Sequence, residues 1–347
     1  MNDLTTGPVA EGESETAIGH LRAECNPQTI VAAVYDTLPF PLMRPVQEIV
    51  FDLGLTAIQT DILLTGLVIR GYREHQLLFE QRWTTAVLQA HTGEADLHIA
   101  AETGLAVRSM HFMLHAHEQI HHVEVLALGK RSDGQTVQAR VQAPVRYHTQ
   151  KTELHFPLRG SWWAIQAADW SDLHKREVFS QPFALDLVKL GPENAFFRGG
   201  GHALEEHFSW GEPVYAAAGG KVAMVIYDMP DMPPGTLPDP RVFRNDPRRM
   251  LGNAIAVSHA NGEFSYYAHL QQASILVSEG QLIRRGEMIG RVGNSGQSPG
   301  PHLHLHVMEG PHLLLDQGLP MKLSHFNAGG QFFDKPTTIP TRMIVVA

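Results

Sequence analysis

Short runs of strand-forming residues, separated by turn signals, fill most of this 347-residue chain. In the first half they include EIVFDLGLTAI and DILLTGLVIRGY, and GKRSDGQTV has the form of a hairpin that reverses at Asp133-Gly134. The clearest runs of the second half are PVYAAAGGKVAMVIY and HLHLHVME. Runs of this length, bounded by Gly, Pro and Asp, are typical of β-strands. The pattern predicts an all-β protein built from antiparallel sheets.

The chain divides near residue 156. We expect a loose polar leader over residues 1–26, an antiparallel β-sandwich of unknown role over 27–155, and a second β-sheet domain over 156–347. Within the second domain, residues 228–250 contain too many prolines for a helix or a central strand. A loop of that length inside a compact domain often forms a wall or a lid of a functional site.

Composition excludes several classes of protein. The net charge of −9 disfavours a nucleic-acid partner, because phosphate backbones are bound by an excess of Lys and Arg. A single cysteine, Cys25, rules out an internal disulfide. No apolar run is long enough for a membrane span, and the polar, acidic start does not have the form of a secretory signal peptide. Histidine is abundant, with 21 copies, and its clusters are the natural places to look for metal chemistry.

One such cluster, HAHEQIHH, contains the zinc-protease pattern H-E-x-x-H at His117-Glu118-Gln119-Ile120-His121. That pattern works on a helix, which puts both histidines on one face. The flanking apolar residues alternate instead, so a helix is disfavoured and a polar strand face is the simpler interpretation. A zinc protease centred on His117 therefore stays a minor hypothesis, as does a weak transition-metal site made by His115, His117 and His121.

A second cluster is the alternating triplet His302, His304 and His306 in SPGPHLHLHV. Alternate residues of a strand project from one face, about 6.6 to 7 Å apart at the Cα atoms. One histidine can then bind a metal while its neighbour reaches a substrate or a water molecule. The preceding GNSGQSPG is rich in turn formers and would bring the chain sharply into this strand.

Three segments together, GEPVYAAAGGKV, GNAIAVSHANGEFSYYAHL and VSEGQLIRRGEMIGRVGNSGQSPGPHLHLHV, resemble in order and spacing the M23 family of zinc metallopeptidases, the lysostaphin-like endopeptidases. The resemblance covers residues 158–309. It implies an antiparallel β-sheet peptidase domain with Zn²⁺ in an open groove and activity on peptidoglycan peptides. It also implies that His304 is a zinc ligand and that His269 and His302 are catalytic.

The remaining two ligands have competing placements. In the family they are a His and an Asp shortly before the Gly-x-Pro-Val strand. A subgroup with a longer intervening loop resembles HKREVFSQPFALDLV, which gives His174 and Asp186, and an acid within an apolar run needs a partner such as a metal. The alternative is His202 with Glu206 in HALEEH. His306, where the family more often has Glu or Gln, is expected behind the ligands or exposed.

Two imidazoles and one carboxylate leave zinc a fourth position for water, the arrangement of catalytic zinc sites. Together with the resemblance, which implies peptidoglycan as the substrate, this predicts a zinc metalloendopeptidase that hydrolyses peptide bonds through a metal-activated water. The alternative is a non-catalytic module of the same fold that binds cell wall or a regulatory partner. The resemblance implies a location in the cell envelope or periplasm, while the oligomeric state and the bond that is cleaved stay open.

Overall fold

The computed structural model describes residues 20–35, 45–167, 181–313 and 315–347. Within these residues the chain forms two compact units. The first takes the residues up to Thr29, Asp52–Met110 and Ile120–Val145, and the second takes Ile30–Phe51, His111–Gln119 and Arg146–Ala347. Two segments of the N-terminal half thus belong to the second unit. The boundary near residue 156 stays a prediction.

Strands dominate both halves, which confirms the all-β fold class. In chain order the first elements are β1 (Leu21–Asn26), β2 (Ile30–Tyr35), β3 (Val46–Ala57), β4 (Ile62–Arg73), β5 (Gln76–Thr84), α1 (Thr85–Thr92), β6 (His98–Ile99), β7 (Gly104–His115), β8 (His122–Arg131) and β9 (Thr136–Tyr147). Most of the predicted leader lies outside the described residues, but its last part, Leu21–Asn26, is strand β1.

The later elements are β10 (Leu154–His155), β11 (Ser161–Gln166), β12 (Leu185–Lys189), β13 (Pro213–Tyr215), β14 (Gly220–Ile226), β15 (Asn253–Ser258), β16 (Phe264–Leu270), β17 (Leu282–Ile283), β18 (Met288–Arg291), β19 (Leu303–Met308), β20 (Gly318–Leu319), β21 (Leu323–Ser324), β22 (Phe326–Ala328), β23 (Gln331–Phe333) and β24 (Ile344–Val346). Short 3-10 turns occur at Pro192–Asn194, Leu204–Glu206, Pro240–Phe243 and Pro247–Leu251. The last two lie at the proline-rich segment, which is otherwise a loop, as predicted.

The first unit is built on the long antiparallel pair β4 and β8, with β5 and β6 on β4 and β9 on β8. The hairpin between β8 and β9 turns at Asp133-Gly134, where Gly134 has a φ of 84° that only glycine adopts without strain. This confirms the predicted reversal. α1 is capped by the Thr84 hydroxyl at its N-terminus and ends at Gly93 in the left-handed conformation.

A sheet of eleven described strands is the main element of the second unit. Its order is β17-β14-β15-β16-β19-β12-β11-β24-β22-β23, and β20 also pairs with β19. Strand β19 therefore lies between β16 and β12. Because side chains alternate along a strand, each of these strands has two faces. On one face Leu185, Leu305 and Tyr267 enter the large core cluster, and on the other Tyr266 and Ala268 join a second cluster.

No helix among the described residues has the length and the apolar character required to traverse a bilayer.

Candidate metal centre

Asp186 on β12 and His304 on β19 are directly opposite each other in the antiparallel register. Opposed residues of neighbouring strands project from the same face. His304 Nδ1 lies 2.7 Å from Asp186 Oδ1, within hydrogen-bonding distance. Both residues are almost completely buried. The alternation of β12 explains this placement: Leu185 and Leu187 fill the core, while the acid between them is directed to the opposite face.

His302 immediately precedes β19, and its imidazole also lies near Asp186. Its Nδ1 lies 2.8 Å from the carbonyl oxygen of Gly300, and its Nε2 lies 3.7 Å from Asp186 Oδ1. A carbonyl oxygen only accepts hydrogen bonds, so the neutral ring carries its proton on Nδ1. The unprotonated Nε2 is thereby presented toward Asp186.

His269 joins the group through an unusual backbone conformation. In regular strand alternation His269 would project to the same face as Tyr267, which lies in the large core. Its φ of 58° is in the left-handed region, which is uncommon for a residue other than glycine. Its ring centroid lies 4.8 Å from that of His302 and 5.6 Å from that of His304. The strained residue thus brings the imidazole to the cluster, and strain of this kind concentrates at functional sites.

The three histidines form a compact donor group. One ring nitrogen of each can be chosen so that all three lie within 4.8 Å of one another. Burial, reinforced by the neighbouring His302 and His304, lowers the pKa of His269 well below its ordinary value. His269 Nδ1 donates to the carbonyl oxygen of Ser295 at 2.8 Å, so Nε2 is the nitrogen with an available lone pair. A neutral imidazole is the form that binds a metal or accepts a proton.

The residues that hold His269 in place were not predicted from the sequence. Gly293 approaches the end of β16 so closely that a Cβ would lie 2.3 Å from the Gln271 backbone. The Asp231 carboxylate accepts from the backbone N–H groups of Asn294 (2.7 Å) and Gln272 (2.8 Å). The proline-rich loop, through Asp231, therefore fixes the turn that carries the Ser295 carbonyl. The only signal in the sequence was the unusual length of that loop.

His306 is buried, with 1% of its surface exposed, and contacts the cluster directly. Its Nδ1 lies 3.0 Å from His304 Nε2, and its ring stacks on Tyr266 with centroids 4.7 Å apart. Of the two placements expected from sequence, the buried one is observed, with His306 next to His304. A hydrogen bond to the second nitrogen of a metal-binding histidine fixes the ring orientation and the tautomer.

These residues fit the donor set of a zinc ion. Nitrogen and carboxylate oxygen are zinc ligands at about 2.0 to 2.2 Å, so two ligand atoms on a tetrahedral ion lie about 3.3 Å apart. The Asp186 and His304 atoms are 2.7 Å apart and need to separate by only about half an ångström to share an ion. A buried acid among imidazoles is also the electrostatic environment that a divalent cation stabilises.

The sequence also suggested His174, or His202 with Glu206, as metal ligands. His174 lies outside the described residues, so its role as the third ligand stays a prediction. The Glu206 carboxylate accepts from the backbone N–H groups of His202 (2.7 Å) and Ala203 (3.3 Å) in an exposed 3-10 turn. These two hydrogen bonds account for an acid at position 206 without any role in metal binding.

The H-E-x-x-H segment is not helical. Residues 116–118 form a turn and bend between β7 and β8, which also corrects the expectation of a strand face. The His115 and His117 rings stack with centroids 5.5 Å apart, and His121 Nδ1 accepts from the backbone N–H of Glu74 at 3.2 Å. This segment therefore lacks the helical turn that would place His117 and His121 on one face, as a zinc protease site requires.

Residues 206–314 match the family model described as peptidase family M23. This confirms the resemblance inferred from the sequence motifs: the chain contains a peptidase family M23 domain. The matched range includes His269, His302 and His304 and begins after Asp186.

Curated relatives share short segments with the chain. It is 35% identical over 98 residues to peptidoglycan DD-endopeptidase ShyA of Vibrio cholerae, covering 28% of this chain and 18% of that protein. It is 53% identical over 53 residues to DD-carboxypeptidase/endopeptidase Mpg of Neisseria meningitidis serogroup B, covering 15% and 12%. The chain thus spans less than a fifth of the length of these relatives.

Solved structures show distant likeness. The catalytic domain of lysostaphin from Staphylococcus simulans is 16% identical, with 48% of this chain and 88% of that chain covered and a TM-score of 0.25. A zinc-containing peptidase from Vibrio cholerae is 14% identical, with 79% and 57% covered and a TM-score of 0.26. At TM-scores this low, the fold class of this chain rests on its own strands alone.

Proposed function

We propose that this chain is a zinc-dependent endopeptidase that hydrolyses peptide bonds of peptidoglycan. The observation that carries the proposal is the convergence of Asp186, His269, His302 and His304, from three neighbouring strands and the turn before one of them, on one face of the sheet. Such a cluster of buried imidazoles around an acid is costly for a fold unless it serves a purpose.

In this proposal His304 and Asp186, together with His174, hold the zinc ion. Bound zinc would lower the pKa of a water molecule toward about 7 and polarise the carbonyl of the peptide bond. Asp186 supplies the negative charge that balances the cation, and its contact with His304 Nδ1 aims both ligand atoms at a common point. His306 holds His304 from the other side.

His302 and His269 perform the proton transfers. Both donate Nδ1–H to a backbone carbonyl, so both present Nε2 for chemistry. One of them accepts a proton from the attacking water, and the other, once protonated, stabilises the oxyanion or protonates the leaving amine. The backbone carbonyls of Gly300 and Ser295 fix the tautomers, so neither ring has to reorient before it acts.

The substrate is inferred from the relatives, whose names describe peptidoglycan DD-endopeptidase and DD-carboxypeptidase/endopeptidase activities. A peptidase of this kind meets its substrate in the cell envelope, and we propose that location for this chain.

The test is a comparison of zinc content and cleavage of purified peptidoglycan by the full chain and its variants. We expect His304→Ala to lose one equivalent of zinc and all cleavage, and His302→Ala to keep the zinc but lose cleavage. Binding of wall fragments without turnover in the zinc-loaded wild type would instead support a non-catalytic module. Loss of cleavage in His117→Ala but not in His304→Ala would move the active site to the H-E-x-x-H segment.

A further inference from the structure

A second group of potential metal ligands lies apart from the cluster already described. Glu153 and His155 stand at strand β10, and His325 follows strand β21. One ligand atom of each lies within 4.8 Å of the others. We propose that Glu153, His155 and His325 form a second binding site for a divalent transition-metal ion such as Zn²⁺.

The three side chains lie close enough to reach one ion. Glu153 Oε1 is 3.2 Å from His155 Nε2, near the separation of about 3.3 Å expected for two ligands of a tetrahedral zinc. The rings of His155 and His325 stack with centroids 3.6 Å apart and planes inclined by 15°. Because imidazole lone pairs lie in the ring plane, one ring has to turn out of this stack before both nitrogens bind the same ion. His325 is exposed, so its ring is the one that can turn.

Hydrogen bonds select the tautomer of His325 that can bind. Ser324 Oγ donates to the carbonyl oxygen of Leu154 at 3.3 Å and lies 3.1 Å from His325 Nδ1. Since the hydroxyl hydrogen is directed to the carbonyl, His325 Nδ1 donates to the hydroxyl oxygen. Its Nε2 then has the lone pair that a metal needs.

The backbone at His325 supports a role for its side chain. His325 has a φ of 62°, in the left-handed region that is strained for a residue other than glycine. Glycine or asparagine would fit this exposed position with less strain. A metal that uses the imidazole would account for histidine here.

The site is accessible, and the neighbouring positive charge is on an exposed side chain. Glu153 and Arg285 border an open cleft of about 620 Å³, which gives an ion a route to the site. Arg285 Nη1 lies 3.6 Å from Glu153 Oε2 and opposes a cation, but its side chain is 46% exposed and can swing into solvent. Two imidazoles favour Zn²⁺, Ni²⁺ or Cu²⁺ over Mg²⁺ or Ca²⁺, which prefer oxygen ligands.

The ion would join two segments that are distant in sequence. β10 and β21 pair in parallel through Leu154 and Leu323 and through His155 and Ser324, with only two residues in each strand. So short a pairing would be stabilised by the ion, because the ion would act as a cross-link that closes the long loop between residues 155 and 325. The second site would therefore be a clamp between residues 153–155 and His325, both within the second unit.

The test is a zinc titration of the full chain in the His304→Ala background, followed by calorimetry and thermal unfolding. We expect this variant to bind one equivalent of zinc and its Tm to rise by about 5 °C at a hundredfold excess over Kd. His155→Gln and His325→Asn, each added to that background, should abolish both effects. Asparagine tolerates the backbone conformation at position 325, so loss of binding there is not a failure to fold.

Control variants separate this site from other histidines. His312→Ala and His117→Ala, added to the same background, should leave the residual zinc and the Tm rise unchanged. Absence of residual zinc in His304→Ala, or residual zinc that survives both His155→Gln and His325→Asn, overturns the proposal. Neither outcome depends on peptide cleavage, so the proposed peptidase activity is tested separately.

Discussion

His304 and His306, two residues apart on β19, share a hydrogen bond of 3.0 Å between Nε2 of the first and Nδ1 of the second. With Nδ1 of His304 on a zinc ion beside Asp186, Nε2 would carry the ring proton and donate it to His306 Nδ1. This bond fixes the ring that we propose as a zinc ligand. It also explains why a third histidine follows the pair with the same alternation.

His306→Ala should weaken zinc binding at the first site by about 10- to 100-fold without changing the stoichiometry at saturating zinc, because the orienting acceptor is lost. A competitive chelator titration measures the affinity. His306→Gln should recover most of it, because the glutamine carbonyl can accept the same hydrogen bond. Equal affinity in wild type and His306→Ala would show that the contact does not position His304.

Asp186→Asn should reduce zinc affinity at the first site by more than about 100-fold and abolish cleavage, because the amide keeps the shape but lacks the charge. The matched control is Glu206→Gln, which removes the acid of the alternative ligand pair. That variant should bind zinc like the wild type. If Glu206→Gln loses the metal and Asp186→Asn keeps it, the ligand assignment is reversed.

Asp231→Ala should lower the turnover number by about 10-fold while the zinc content stays unchanged, since it releases the turn that holds His269 through the Ser295 carbonyl. Steady-state kinetics on a soluble cross-linked peptide, together with metal analysis, separates the two effects. A parallel loss of zinc and turnover would indicate that Asp231 supports the whole fold of the site.

Glu263 provides a test of pH dependence. Burial alone would raise the pKa of its carboxyl group, but hydrogen bonds from His148 and from Lys151 and Thr152 outweigh it and hold the pKa at about 2. A carboxyl group whose pKa is lowered by folding contributes stability that is complete above its unfolded value of about 4.5 and is lost as the pH falls toward 2.

Glu263→Gln should therefore reduce the free energy of unfolding by about 2 to 3 kcal/mol at pH 7. The difference from wild type should shrink by about 1 kcal/mol between pH 5 and pH 3.5. Urea denaturation at several pH values measures both. The exposed Glu94→Gln is the control and should change neither, and a difference that stays constant with pH would exclude the linkage.

The sequence predicted those parts of the site that depend on local pattern. Alternation predicted His302, His304 and His306 on one strand, and the structure has His304 and His306 on β19 with His302 immediately before it. An acid in an apolar run marked Asp186. The orientation of His269 could not be predicted, because it depends on a left-handed backbone conformation. The group that orients its ring is the backbone carbonyl of Ser295. Every residue has a backbone carbonyl, so this contact leaves no signal in the sequence.

Long-range packing was also beyond the sequence. His306 is buried because Tyr266, 40 residues earlier, pairs with it across β16 and β19. Likewise, Ile30–Phe51 belongs to the second unit although it lies far from the rest of that unit in the chain. Such associations depend on contacts between segments that share no common pattern.

Strand β12 precedes the range matched by the M23 family model, yet it carries Asp186 and covers one side of β19. A minimal fragment cut at the borders of that match would retain His269, His302 and His304 but leave the carboxylate of Asp186 behind. It would also turn the histidine-bearing strand into an unprotected sheet margin, prone to self-association. Any transplant of this chemistry to another scaffold has to begin upstream of residue 185.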